Sequence, residues 1–292
     1  MNALAALLRL MRPHQWIKNG FVLVGLAFSH RWGESGLVLD VLLLTVAFCL
    51  VSGAVYALND VFDREADRVH PEKRQRAVAS RQVSVRLALV WSGSLAASGL
   101  LLAWVVSPAA CALVAVYITV NLGYSNGLKH VAILDVCLIA SGFMLRILAG
   151  TLGVGIEPSR WLLACGLMLT LFLGFSKRRA ELTALNGADA ALQRRSLQGY
   201  SAVLLDRLIA INAAGVAIGY ALYVLDQQTI AIHGTDRLIW TLPFVLYGLS
   251  RYRHALHHRG AGADPARDLF RDPHLLLALT GWLLTTGWLI AG

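Results

Sequence analysis

Long apolar runs alternate with short, strongly polar connections along this chain. A helix needs about 20 mainly apolar residues to cross a hydrocarbon layer about 30 Å thick. On that measure the pattern predicts nine spans, at about 17–30, 38–58, 85–106, 109–123, 132–153, 161–176, 205–225, 238–250 and 274–291. Lys18 and Asn19 interrupt the first run, and the eighth is short. The leading stretch "MNALAALLRLMRPHQW" reads as an interfacial helix halted near Pro13. Arg9 breaks its apolar run, and it has neither an early basic region nor a cleavage-like site, so it does not read as a signal peptide. The expectation is an all-α, polytopic membrane protein of one domain spanning residues 1–292, with no internal repeat or linker.

The connections differ in charge. Those after the second, fourth, sixth and eighth runs, with the N-terminal segment, hold nearly all the Lys and Arg; the opposite loops hold only Arg31, Arg160 and Arg237. Basic loops stay in the cytoplasm, which puts the N-terminus and these connections inside and the C-terminus outside. The same loops are the long ones, about 60–84, 177–204 and 251–273, so the working face is expected there.

Composition supports this picture. Of 292 residues, 57% are hydrophobic and only 15% charged, with a mean hydropathy of +0.60, too little charge to cover a soluble surface. The net charge of +9 lies in short blocks between apolar runs, which suits an anionic substrate and loop topology rather than nucleic acid. Cys49, Cys111, Cys137 and Cys165 sit inside apolar runs without a CxxC pair and read as small hydrophobes.

The chemistry concentrates in "NDVFDREAD", residues 59–67, at the end of the second run. If the helix continues through it, Asn59, Asp63 and Asp67 follow i, i+4, i+8 with Asp60 beside them. Several hard oxygens on one face repel one another and call for a cation; Mg²⁺ takes one or two carboxylates and completes its shell with water and substrate phosphates. The loop that follows brings Arg64, Arg68, His70, Lys73, Arg74, Arg76 and Arg81, suited to phosphate oxygens. The plainer reading of that loop is topology alone.

A second polar entry, "YSNGLKHVAILDV", carries Tyr124, Ser125, Lys129 and Asp135, and Arg146 lies deep in the run after it. Asp135 and Arg146 are about three helical turns apart, on one face, consistent with a polar chamber or with structural pairing. "FSKRRAEL" closes the sixth run with Lys177, Arg178, Arg179 and Glu181. His254, His257 and His258 have metal-like spacing but read as a basic interfacial helix end. Asp264, Asp268 and Asp272 fall in a turn-rich loop and stay ambiguous. GxSxG, HExxH and P-loop patterns are absent, which leaves hydrolase, zinc-protease and P-loop ATPase readings without support.

With nine runs, NDVFDREAD after the second and YSNGLKH after the fourth, the sequence resembles the UbiA superfamily of intramembrane prenyltransferases. More narrowly, "RPHQWIKN", "NDVFDREADRVHPEKRQR", "YSNGLKHVAILDV", "GFMLRILAG" and "FSKRRAEL" are similar to its polyprenyl-phosphate (decaprenyl-phosphate) phosphoribosyltransferases. The resemblance covers nearly the whole chain. It implies a ring of nine helices around a central cavity. The superfamily's second acidic pair, DxxxD near the fifth helix, is missing, since Val131 stands four residues before Asp135. That departure fits the phosphoribosyl branch. The stretch "AVAS" after Arg76 stands where the family has a proline.

The resemblance implies transfer of 5-phosphoribose from 5-phosphoribosyl 1-diphosphate to a polyprenyl phosphate, with release of diphosphate, for cell-envelope glycan precursors. Mg²⁺ on Asn59, Asp63 and Asp67, with Asp60 nearby, would bind the leaving group. Lys18, Asn19, Arg68, Lys73, Arg74, Tyr124, Lys129, Asp135, Arg146, Lys177 and Arg178 are the candidates for substrate phosphates and ribose. The implied setting is a bacterial-type inner membrane, with the site facing the cytoplasm and membrane lipids around it; a homo-oligomer stays open. Two other readings are an aromatic-acceptor prenyltransferase, which needs a prenyl diphosphate, and a membrane transporter.

Overall fold

The computed structural model of the chain describes residues 3–71, 73–185, 195–262 and 265–291, so Asp264 lies outside the described residues. Every regular element among them is helical. With no water in hydrocarbon to satisfy backbone amides, long apolar runs close their hydrogen bonds within each segment.

The chain divides into two compact units, residues 1–129 with 142–158, and residues 130–141 with 159–292. The first contains α1 (Ala3–Leu10), a 3-10 segment (Pro13–Leu23), α2 (Val24–Phe28), α3 (Ser35–Phe62), α4 (Arg64–Val69), α5 (Val85–Val106) and α6 (Pro108–Ser125). The second contains α8 (Arg160–Leu185), α9 (Ala202–Leu225), α10 (Gln227–His233), α11 (Leu242–His258), α12 (Pro265–Arg271) and α13 (Pro273–Ala291). Helix α7 (Leu134–Ala149) gives its first half to the second unit and its second half to the first.

Seven helical segments among the described residues are long and apolar enough to cross a membrane: 35–62, 85–106, 108–125, 134–154, 160–184, 202–225 and 273–290. They match seven expected spans closely. The other two are composites. The first is the 3-10 segment followed by α2, and the eighth is a 3-10 turn, Arg237–Thr241, followed by α11. A 3-10 helix rises about 2.0 Å per residue, so the 3-10 segment and α2 together reach about 30 Å despite their few residues.

Serines start several helices. Ser84, Ser107 and Ser201 accept hydrogen bonds from the amides of Leu87, Ala110 and Leu204, satisfying donors the first helical turn leaves open. In the first unit α3 packs chiefly on α5, then on the 3-10 segment and α6, around Val41, Leu44, Phe48, Val51 and Val114. Here the 3-10 segment lies close against the end of α7. A Cβ on Gly150 would come 1.8 Å from the Val22 carbonyl oxygen, and one on Gly25 would come 2.4 Å from the Gly150 oxygen. In the second unit α8 packs on α9 around Phe172, Phe175, Leu205 and Ile209.

Candidate active site

The acidic motif forms where α3 ends. The backbone ladder runs on, with the Asp63 amide donating to Asn59 at 2.9 Å and the Asp67 amide donating to Asp63 at 2.8 Å. Asp63 itself has φ −87° and ψ 1°, so α3 stops at Phe62 and α4 starts afresh at Arg64. The uninterrupted stripe expected for Asn59, Asp63 and Asp67 is therefore bent at its middle residue.

Packing of α3 on α6 brings the two polar sequence motifs together. Lys129 Nζ donates to Asp63 Oδ1 at 2.6 Å, and the Ser125 hydroxyl donates to Asn59 Oδ1. Arg76 Nη1 donates to Asp67 Oδ2 at 2.7 Å and lies 3.5 Å from Asp60 Oδ1. Arg12 Nη2 donates to the same Asp60 oxygen at 2.5 Å, with its guanidinium 5.1 Å from the centre of the Tyr56 ring. Asp60 and Asp67 are buried, whereas Asp63 is partly open.

The remaining cations of the loop behave differently. Arg68 is exposed and pairs with Glu65 at 2.7 Å, and Lys73 and Arg74 are exposed on a 3-10 turn, Lys73–Gln75. Lys18 and Tyr124 are half-buried, as is Lys177 on α8.

Within the first unit, Arg146 is buried. Its Nε donates to Asn19 Oδ1 at 2.8 Å, Nη1 to the Gly142 carbonyl at 2.8 Å and Nη2 to the Tyr117 hydroxyl at 2.9 Å. Its guanidinium faces the rings of Phe48, Tyr117 and Phe143 at 4.6–5.6 Å. Asn19, also buried, reaches Ser52 at 3.4 Å. This anchors the 3-10 segment and positions Lys18 beside it in sequence.

Within the second unit, Asp135 and Arg178 form a sealed pair, Oδ2 to Nε at 2.7 Å, with side chains 0% and 1% exposed. The Tyr200 hydroxyl donates to Asp135 Oδ1 at 2.7 Å and accepts from the Ile133 amide at 2.6 Å. Burial, reinforced by the bond to Asp135, pushes the Tyr200 hydroxyl well above the ordinary tyrosine range, so it stays a donor. Glu181 takes a second bond from Arg178. Around the histidines of α11, the rings of His254 and His258 lie 4.5 Å apart and His257 sits 3.3 Å from Asp206.

No group of three or more His, Cys, Asp or Glu side chains converges as a metal set among the described residues. What the motif offers is smaller: two carboxylates and an amide oxygen. One oxygen each of Asp63 and Asp67 is bonded to a cation, which leaves the other available. A partial shell of hard oxygens fits Mg²⁺, which shares its coordination with substrate phosphate.

Three participants escaped the sequence reading. Tyr117 lay in an apolar run, although a buried tyrosine hydroxyl needs a partner. Tyr200 had no local signal. Arg12 precedes Pro13, a position biased away from right-handed helix, and adopts left-handed φ of 50°.

The UbiA prenyltransferase family pattern matches residues 20–271. The chain belongs to the UbiA prenyltransferase family. It is a membrane-embedded transferase. A UbiA homolog from Archaeoglobus fulgidus, solved bound to GPP and Mg²⁺, shares its fold with a TM-score of 0.71 at 18% identity, covering 98% of this chain and 97% of that one. Among curated UbiA relatives, the decaprenyl-phosphate phosphoribosyltransferase of Mycolicibacterium smegmatis is 30% identical over 98% of this chain and 92% of its own length. The enzyme of the same name from Corynebacterium glutamicum is 32% identical over 97% and 86%.

Proposed function

We propose that this UbiA protein transfers 5-phosphoribose from 5-phosphoribosyl 1-diphosphate to a polyprenyl phosphate, releasing diphosphate, at the cytoplasmic face of a bacterial-type inner membrane. The observation that carries this reading is near full-length similarity to enzymes named decaprenyl-phosphate phosphoribosyltransferase. The lone Asp135, with Val131 four residues before it, supports it over prenyl transfer to an aromatic acceptor.

The lipid phosphate oxygen forms the new bond to C1 of the ribose while the C1–diphosphate bond breaks, with inversion at C1. That oxygen is already anionic near neutrality, so the reaction needs no general base. Asn59, Asp63 and Asp67 would hold Mg²⁺, which when bound neutralises charge developing on the leaving diphosphate. Lys129 and Arg76 lie on the same carboxylates and supply further positive charge for phosphate oxygens. Arg146 offers a buried guanidinium held by neutral partners, suited to an anionic group of donor or lipid.

The test is an assay on purified protein in nanodiscs with polyprenyl phosphate, radiolabelled phosphoribosyl diphosphate and Mg²⁺. The expected result is a labelled lipid that vanishes with EDTA. Folded protein that makes no labelled lipid, yet transfers the prenyl group of a prenyl diphosphate to an aromatic acceptor with release of diphosphate, would overturn the proposal in favour of the second reading.

A further inference from the structure

Asp60 stands apart from the other acids of its motif. Among the described residues, Asp63 meets one cation, Lys129, and Asp67 meets one, Arg76. Asp60 meets two guanidinium groups on a single oxygen, Arg12 at 2.5 Å and Arg76 at 3.5 Å, and is only 3% exposed. Two permanently charged arginines share its Oδ1 and already offset its charge, so a metal ion approaching this carboxylate would meet the repulsion of both. At Asp67 the situation differs. Its one arginine also faces Asp60, so Arg76 can give up Asp67 and still keep an anionic partner.

We propose that Asp60 is a positioning residue whose buried carboxylate, braced by Arg12, keeps the Arg76 guanidinium at the motif when Mg²⁺ takes over Asp67. The consequence is a division of labour among four neighbouring polar residues. Asn59, Asp63 and Asp67 face the cation, and Asp60 faces Arg12 and the Arg76 that meets the diphosphate. Asp60 is off the i, i+4, i+8 row in the sequence, which agrees with a separate duty. Arg12 is held in left-handed backbone at φ 50°, a conformation disfavoured for a non-glycine residue, and from that position it makes its ion pair with Asp60.

This inference rests on the metal–diphosphate reading of the site, and its test uses inorganic diphosphate so that the two can fail separately. Mn²⁺ binding is measured by electron paramagnetic resonance, and diphosphate binding by calorimetry with Mg²⁺ present, on full-length protein in detergent. For Asp60→Asn, Mn²⁺ affinity is expected within about threefold of wild type and diphosphate affinity lower by about tenfold; Asp63→Asn loses Mn²⁺ binding itself. Adding Asp60→Asn to Arg76→Ala should cost diphosphate no further affinity, because the two residues act through one another.

Loss of Mn²⁺ affinity in Asp60→Asn as deep as in Asp63→Asn would make Asp60 a ligand and overturn the proposal. So would unchanged diphosphate affinity. If Asp60→Asn does not fold, Arg12→Lys weakens the same anchor from the other side. Diphosphate affinity reduced about threefold with Mn²⁺ binding intact supports the role, and unchanged affinity overturns it. Wild-type protein that binds Mn²⁺ and diphosphate but forms no phosphoribosyl lipid would remove the proposed substrate and leave the role of Asp60 standing.

Discussion

Asp63 meets Lys129 with 37% and 17% of their side chains exposed, whereas Asp135 meets Arg178 with 0% and 1% exposed. Both are carboxylate–cation pairs at the polar end of an apolar helix, and the sequence counts all four residues among the site candidates. Exposure separates them. An open pair is worth about 0–1 kcal/mol and can be traded for a metal ion or a phosphate at little cost. A sealed pair whose carboxylate also binds Tyr200 and the Val136 amide cannot be traded, because either partner alone would be a buried, unbalanced charge. The first arrangement suits a site that exchanges partners, the second a lock within its own unit.

The sharpest way to break this contrast is to remove one member of each pair. Asp63→Ala should lower the transfer rate by about a thousandfold or more, through loss of a metal ligand, while moving the melting temperature little. Initial rates and thermal melts of the same preparation check it, and a large fall in melting temperature would erase the distinction. Arg178→Met should do the reverse, costing about 3–5 kcal/mol of stability by leaving Asp135 uncompensated. Pairing it with Asp135→Leu should recover much of that loss, as read from unfolding midpoints in detergent.

Smaller changes refine the comparison. Tyr200→Phe deletes one donor to the sealed carboxylate and should cost about 1–2 kcal/mol, with Mn²⁺ binding at the motif unaffected. The smallest effect belongs to a third cluster, where Asp272 accepts from Arg251 at 2.8 Å and from the His274 amide at 2.9 Å. The Arg251 hydrogen bond, opposed by burial, holds the Asp272 carboxyl below its ordinary value of 3.8. A depressed carboxylate contributes stability above its unfolded value and loses it as pH falls through the folded one. The gap in melting temperature between wild type and Asp272→Asn should therefore be constant from about pH 7 to pH 5 and shrink below about pH 4. A gap that widens in acid would contradict that sign.

The helices were legible because lipid leaves apolar runs one way to satisfy their backbone, and helix α5 (Val85–Val106) falls where its run does. Where Lys18 and Asn19 broke the run, length counting could not foresee a 3-10 segment of longer rise. The site was half legible. NDVFDREAD and YSNGLKH declared their chemistry through local density of charge, yet their meeting through Lys129 and Ser125 depends on α3 packing against α6. Arg12, Tyr117 and Tyr200 act at separations of 48, 29 and 65 residues from their partners, where periodicity carries no information. The bend at Asp63 was hidden for a related reason: no proline or glycine in "NDVFDREAD" marks the turn.

Gly150 leaves no room for any other amino acid beside the Val22 carbonyl, and Arg146, one turn earlier on α7, holds Asn19 three residues before Val22. The two stretches are thus tied at a steric point and at a polar point within a single helical turn. Both ties run from the end of α7 to residues 19–22, so "RPHQWIKNGFV" and "GFMLRILAG" are expected to be transplanted in any chimera as one piece.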